Sequence, residues 1–316
     1  MKVLVVGGTG AVGAPTVTRL VAAGHEVRST ARSVQSRDSL QQIGVEALDV
    51  DIYDRDALRL AMRGMDAVIR LTTKLPKSLM QMRDKAVSNE TNRLRSVGAQ
   101  SIVDAAIAEH VQVYVTESFF AAYRSGGDRW VTEQFPSDDE GVDTLKAILE
   151  SERQAQRFAR EGGRGITLRF GGFYGASNGF TGEIMRLLHK RMLPIIGPGD
   201  YYVPSLHIED AADAVVNALS AASGVYNVCD DNPQKWADFL YGAARMAGAP
   251  KPMRLPAFMG PLAMGYPWKW MTRSVRMSNA LFKNTTGWRP RHPDPLLGYA
   301  DAFAQIGQSG AMAKSS

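Results

Sequence analysis

The sequence predicts an α/β fold: a doubly wound parallel sheet carrying helices on both faces, followed by a small C-terminal domain. Three observations predict it. The opening stretch Val3–Gly13, VLVVGGTGAVG, is a β-branched run that breaks into glycines at 7, 10 and 13. Short apolar runs then alternate with stretches of helical spacing as far as residue 170, the pattern of strands joined by helical crossovers. Beyond Gly171 the regularity loosens, and residues 250–270 are dense in Pro, Met, Gly and Trp.

Each element follows in order. Val3–Val6 reads as a buried parallel strand. A helix over roughly residues 14–23 comes next, with Gly24 placed to end it. One glycine of the triplet permits the tight turn, one lets backbone amides approach a pyrophosphate, and one lets helix and strand pack closely. The helix turns its positive N-terminal end toward the phosphates. Gly7, Thr9, Gly10, Ala11, Val12 and Gly13 are therefore the candidate dinucleotide grip.

His25–Thr30, Gly44–Leu48 and Asp66–Leu71 are the next strands, with a helix over Arg55–Met62. Asn92–His110 has helical spacing, Val111–Thr116 is strand five, Asp143–Arg160 is a charged amphipathic helix, and Gly165–Phe170 is strand six. Right-handed crossovers put a ligand at the carboxyl ends of these strands. Phe180–Lys190 reads as a helix, Pro194–Tyr202 as turns, and Glu209–Ala222 as a helix with acids in its first turn. Gly224–Val228 is a strand returning to the sheet. The expected organisation is a dinucleotide-binding domain over 1–170, to which 205–230 returns. A substrate domain takes 171–204 and 231–306, and 307–316 is a small, polar, frayed tail.

Composition narrows the function classes. The single cysteine, Cys229, allows no internal disulfide and suits a reducing compartment. Histidines 25, 110, 189, 207 and 292 form no compact ligand motif, so no metal is expected. The N-terminal apolar run stops at Gly7, too short for a signal or spanning segment, so the expectation is a soluble cytoplasmic protein without membrane partners. A net charge of +5 without a dense basic block points away from specific nucleic-acid binding.

The segments GGTGAVG, DIYDRDAL, YVTES, LKAILE, TLRFGGFYG, PSLHIEDAADAV, GVYNV and TGWRPRHP, in this order, resemble the extended short-chain dehydrogenase/reductase superfamily in its NAD(P)-dependent epimerase/dehydratase-like branch. The VTESF segment is also loosely similar to the isoflavone reductase-like and nitrogen-regulator-like atypical branch. The resemblance implies a Rossmann fold with NAD(P) bound and a small domain closing over it. It implies that Asp51 and Ile52 flank the adenine, and that Leu71, Thr72 and Thr73 line the nicotinamide ribose. A homodimer through paired long helices is a further implication. At the end of strand two stand Arg32 and Ser33, with no acid before Asp38. A cation there suits a 2′-phosphate, whereas NAD sites place a carboxylate, so NADP is expected over NAD.

The chemistry departs from the family pattern. The resemblance implies a catalytic Ser at Ser118 and puts Lys146 at the lysine that holds the ribose, yet the tyrosine four residues earlier is Val142, which exchanges no proton. Tyr123, Glu117 or a directly acting Lys146 are the replacements open from sequence. Nucleotide-sugar enzymes carry an arginine four residues before the His of H-x-x-D; here the His is His207, expected to orient the following helix, and the position holds Val203. Met253, Phe258, Met259, Met264, Trp268, Trp270 and Met271 offer an adaptable apolar wall to a substrate, a partner subunit or a core. The expected function is an NADP(H)-dependent oxidoreductase of a small, largely apolar carbonyl or alcohol. The alternatives are a cofactor sensor without turnover, or an epimerase/dehydratase of a non-nucleotide substrate.

Overall fold

The computed structural model describes residues 1–74, 81, 84–265 and 267–315, with the backbone alone at 85 and 309–315. The first half alternates strand and helix: β1 (Lys2–Val6), α1 (Gly13–Ala22), β2 (Glu26–Thr30), α2 (Val34–Gln41), β3 (Glu46–Leu48), α3 (Arg55–Met62), β4 (Ala67–Arg70), α4 (Lys85–Arg93), α5 (Ala99–Ala108), β5 (Val113–Phe119), β6 (Trp130–Val131), α6 (Asp143–Arg160) and β7 (Arg164–Phe170). A π-helical turn, Leu94–Gly98, joins α4 to α5. The second half holds β8 (Gly172–Tyr174), α7 (Gly179–His189), β9 (Ile195–Ile196), β10 (Tyr202–Val203), β11 (Ser205–His207), α8 (Ile208–Ala218), β12 (Gly224–Val228), β13 (Gln234–Lys235), α9 (Trp236–Met246), β14 (Arg254–Leu255), α10 (Gly260–Met264), α11 (Trp268–Met271), β15 (Arg276–Met277), α12 (Ala280–Thr286) and α13 (Pro295–Ser315).

Seven strands form one parallel sheet in the order β12-β7-β5-β4-β1-β2-β3. The chain starts mid-sheet, winds outward to β3, then crosses back to lay β4 on the other side of β1. That reversal opens a crevice above the carboxyl ends of β1 and β4. β1 shows why its run of four fully buried residues forms a central strand. Val3 and Val5 join one apolar cluster, Leu4 and Val6 the cluster on the opposite face, the two-residue alternation of a strand covered on both sides. A third cluster, including Tyr174, Ile184, Leu240 and Phe303, draws only on residues 174–303. There α13 packs against α7 and α9.

Several expected bounds shift. The helix anticipated from Asn92 begins at 85 and passes through the π turn before reaching α5. Strand five continues to Phe119, which puts Glu117 and Ser118 inside the sheet. β12 returns beside β7, as Gly224–Val228 indicates. α13 continues as helix through the segment anticipated to fray, and Ser316 lies outside the described residues. Among the described residues, no helix is long and apolar enough to cross a membrane.

Candidate active site

The turn after β1 is shaped by contacts that only glycine tolerates. Gly7 holds φ +98°, and a Cβ there would stand 3.0 Å from the Leu71 carbonyl carbon and the Thr72 nitrogen. At Gly13 a Cβ would lie 2.1 Å from the Gly7 carbonyl oxygen, so α1 meets β1 closer than any larger residue allows. Gly10 is different. Its Cβ would meet only the Gly7 oxygen, at 3.4 Å, so nothing inside the chain requires glycine there, and the space left open belongs to a cleft. α1 begins after Val12 with no side-chain cap, but Ala14 N–H is spent on the Gly10 carbonyl at 2.9 Å and Pro15 carries none, so the amides left for an anion are those of the turn, Ala11, Val12 and Gly13.

The cleft measures about 450 Å³ and runs from Gly10–Gly13, Leu71 and Thr73 across to residues of the C-terminal third. Two buried polar atoms, Asn92 Oδ1 on a lining residue and Thr72 Oγ1 between the lining residues Leu71 and Thr73, have no hydrogen-bond partner among the described residues, though Thr72 itself does not line the cleft. Such atoms are costly unless a ligand satisfies them. With the glycine cradle, they fit a dinucleotide whose pyrophosphate sits on α1 and whose ribose lies against the loop after β4.

At the outer edge of the sheet, Arg32 is exposed. Ser33 spends its hydroxyl capping α2, accepting from the Ser36 N–H at 3.1 Å and donating to Ser36 Oγ at 2.8 Å. Asp51 holds a turn by accepting from the Tyr53 N–H at 3.0 Å, and Ile52 beside it is buried. A second cation, missed from sequence, is Arg93, whose guanidinium lies 4.0 Å from the centre of the Tyr53 ring. Burial raises the Tyr53 phenol, and the charges of both Arg93 and Arg32 act on it in the opposite direction. Two arginines thus flank this edge.

Beneath the cleft lies a buried ionic network. Glu117 of β5 accepts both Nε and Nη2 of Arg95, at 3.1 and 3.0 Å, and Arg70 Nη2 at 2.9 Å. Arg70, fully buried, also donates to Thr116 Oγ1 and Ser151 Oγ at 2.8 and 2.7 Å. Arg95 comes from the π turn, an irregularity often found at functional sites. Burial alone would raise the Glu117 carboxyl, but Arg95 and Arg70 outweigh it and hold it below the usual carboxylate range. Two guanidiniums against one carboxylate leave one positive charge under the cleft. Strand residues Arg70 and Arg169 carried the signal, since an arginine inside a buried apolar run requires a buried acid.

The expected catalytic side chains are redistributed. Ser118 lines the cleft, but its hydroxyl donates to Glu152 at 2.5 Å. Glu152 is in turn clamped by Arg169 Nε and Nη2 at 2.7 and 2.6 Å. A hydroxyl has one proton, so Ser118 accepts from the cleft side and does not polarise a substrate oxygen. Tyr123 is fully buried away from the cleft, donates to Asn227 at 2.8 Å, and is pushed up to about 12 chiefly by burial. It supplies no proton to the site. Glu117, held ionised between its arginines, is no acid either.

Lys146 is the clearest correction. Its side chain is half exposed, pairs with Asp143 at 3.2 Å and does not line the cleft. The helix residues that do are Thr144 and Ile148, four apart. A residue midway between them is turned about 200° from each, hence to the far face. The two α6 residues facing the cleft are thus Thr144 and Ile148, and neither a phenol nor an ammonium projects from α6 into it. Lys146→Ala is expected to leave cofactor affinity and any turnover unchanged and to cost under about 1 kcal/mol in urea unfolding. A tenfold loss of NADPH affinity in that variant would reinstate Lys146 at the ribose.

His207 caps α8, its Nδ1 accepting from the Glu209 N–H at 3.2 Å, the structural role read from sequence. With Asp210 and His292 it forms a compact His/Asp cluster among the described residues. Its donors are committed: Asp210 accepts the Arg291 and His292 N–H groups and meets His292 Nδ1, each at 2.9 Å. The two imidazoles stack with ring centres 3.8 Å apart.

The remaining wall is aromatic. Phe119, Phe170, Phe173, Trp236, Phe239 and Trp270 line it, with Met271 and Val203 among them. Of the Met/Trp segment, only Trp270 and Met271 reach the cleft, whereas Met253 and Phe258 are exposed.

A family model described as NAD(P)H-binding matches residues 7–170. A 3-diazoavenalumate denitrifying reductase from a Streptomyces species is 31% identical over 308 residues, which cover 93% of this chain and 97% of that protein. The human epimerase family protein SDR39U1, solved with NADPH, superposes with a TM-score of 0.76 at 20% identity, covering 98% of this chain and 99% of its own. A UDP-glucose 4-epimerase from Thermus thermophilus, solved with NAD, gives 0.74 at 21% identity, covering 96% and 99%.

Proposed function

The chain belongs to the NAD(P)H-binding family, and from that premise we propose that it is an extended short-chain dehydrogenase/reductase-like, NADP(H)-dependent reductase of a flat, aromatic substrate. One observation carries this reading. The cleft joins a dinucleotide cradle at Gly10–Gly13 to a wall of aromatic rings, and α6 contributes Thr144 and Ile148 where an acid/base pair would stand.

When bound, the reduced nicotinamide supplies a hydride. The chain's own residues position it: the turn amides of residues 11–13 hold the pyrophosphate, Asn92 lies on the ribose side, and Arg32 pairs with a 2′-phosphate. The ionised Glu117 with its two arginines leaves a net positive charge under the cleft, which favours binding of the uncharged reduced nicotinamide ring over its oxidised cation. Epimerisation and dehydration need a base that withdraws a proton, and α6 offers none. One-way hydride donation makes the smaller demand. An acceptor already polarised, such as an aryl enone, takes hydride without a neighbouring tyrosine-lysine pair. The reductase from Streptomyces supports the reductive direction, and Val203 in place of a diphosphate-binding arginine supports a substrate without a nucleotide.

The test is NADPH consumption with aryl aldehydes, aryl enones and aryl diazonium salts, against protein-free controls. Turnover of at least one class is expected. Tight NADPH binding with no turnover across the panel would replace this reading with the cofactor-sensor one. In the same assay Arg32→Ala is expected to weaken NADPH about 10- to 100-fold and leave NADH unaffected, the size of a lost charge-assisted phosphate contact. Equal loss for both nucleotides would remove Arg32 from the phosphate.

A further inference from the structure

The cleft contains one phenol among its described residues, Tyr299, contributed by α13. Tyr299 is more than nine-tenths buried. Its ring is fixed on three sides: stacked on Tyr174 with centroids 4.4 Å apart and planes 17° from parallel, and met edge-on by Phe239 and Phe303 at 4.8 and 5.7 Å. Tyr174 is itself anchored, donating to Asp230 at 3.0 Å. Gly298 permits the stack, since a Cβ there would stand 2.3 Å from the Tyr174 hydroxyl.

The Tyr299 hydroxyl donates to no described residue. Of the other polar residues lining the cleft, Ser118 donates to Glu152, Thr91 to the Lys74 carbonyl at 2.6 Å and Asn178 to the Phe173 carbonyl at 3.1 Å, whereas Asn92 Oδ1 accepts from no described residue. A phenol held rigid on three sides, lining an apolar cleft and with no partner for its hydroxyl among the described residues, is a donor open to a ligand. We propose that Tyr299 is the hydrogen-bond donor to the substrate's polar group, taking from the C-terminal domain the part that α6 does not play. Burial above all holds it as the neutral phenol, so it donates and does not act as a base.

This inference deepens the reductase reading and rests on it for the identity of the ligand class. The test uses 4-(dimethylamino)cinnamaldehyde, whose absorption moves to longer wavelength when its carbonyl oxygen accepts a hydrogen bond, added to the full-length protein loaded with NADP. The wild-type complex is expected to show a red-shifted band. Tyr299→Phe is expected to lose the shift, to bind the aldehyde about 3- to 10-fold more weakly, and to lower kcat/KM for any productive aryl carbonyl about 100-fold. NADPH affinity, measured in parallel, is expected to be unchanged, which separates a lost donor from a misfolded variant. A red shift that persists in Tyr299→Phe overturns the proposal, as does a wild-type protein that leaves the probe unbound or unshifted. A Tyr299-dependent shift without NADPH consumption would uphold Tyr299 while removing the reductase reading.

Discussion

Glu117→Ala is expected to destabilise the protein by about 3–5 kcal/mol, the range for removing one partner of a buried ion pair. The loss is at the upper end because two arginines share that carboxylate. Arg70 is fully buried and Arg95 nearly so, and each would be left charged without a counter-ion. Arg70 would keep Thr116 and Ser151, but Arg95 would lose both of its carboxylate bonds. Urea unfolding measures the deficit, and a loss under about 1 kcal/mol, the size of an exposed pair, would mean that water reaches the network. A pH dependence follows from the same group. The folded carboxyl titrates below its unfolded value near about 4.3, so unfolding takes up a proton between the two. The stabilisation is complete above the unfolded value and is lost as pH falls through the folded one. Glu117→Ala should remove that part of the wild-type acid limb.

Gly13→Ala carries the second large effect, on binding more than on stability. Its Cβ would sit 2.1 Å from the Gly7 oxygen and 2.9 Å from the Gly8 Cα, and both are backbone atoms that no rotamer change can move aside. Relief requires α1 to back away from β1, an overpacking strain of about 1–3 kcal/mol. The same movement withdraws the turn amides of residues 11–13 from the phosphates. Each lost bond to a charged group is worth about 1.5–3 kcal/mol, so NADPH affinity should fall by at least about tenfold for the first and far more if two are lost. Calorimetric titration checks it. Undiminished affinity in a folded variant would show that the pyrophosphate does not sit on α1. Gly10→Ala makes the informative contrast, because that Cβ strains nothing within the protein and would act only through the ligand.

The sheet and its cradle could be read in the sequence because both depend on near neighbours. β-branched runs, helical spacing and a glycine triplet are local patterns, and Arg55–Met62, Asp143–Arg160 and Gly224–Val228 appear in the fold with the bounds those patterns indicate. The catalytic surroundings were less legible. Lys146 and Ile148 stand two residues apart on one helix, and the string alone does not say which of them faces β5. Two positions along α6 separate the cleft residue Ile148 from the half-exposed Lys146. Ser118 likewise matches a catalytic serine by position, while its proton is claimed by Glu152, 34 residues further along the chain.

What the sequence determined alone is the class of ligand at the β1–α1 turn, since a tight turn, a close phosphate approach and close helix packing are demands met by consecutive residues. What tertiary structure decided is the rest of the cleft. Glu117 meets Arg70 across 47 positions, and Tyr299 lines the same cleft as Gly10 from the other end of the chain. Those encounters depend on how sheet and helices pack, and packing energy is a property of surfaces brought together from distant segments rather than of any one stretch.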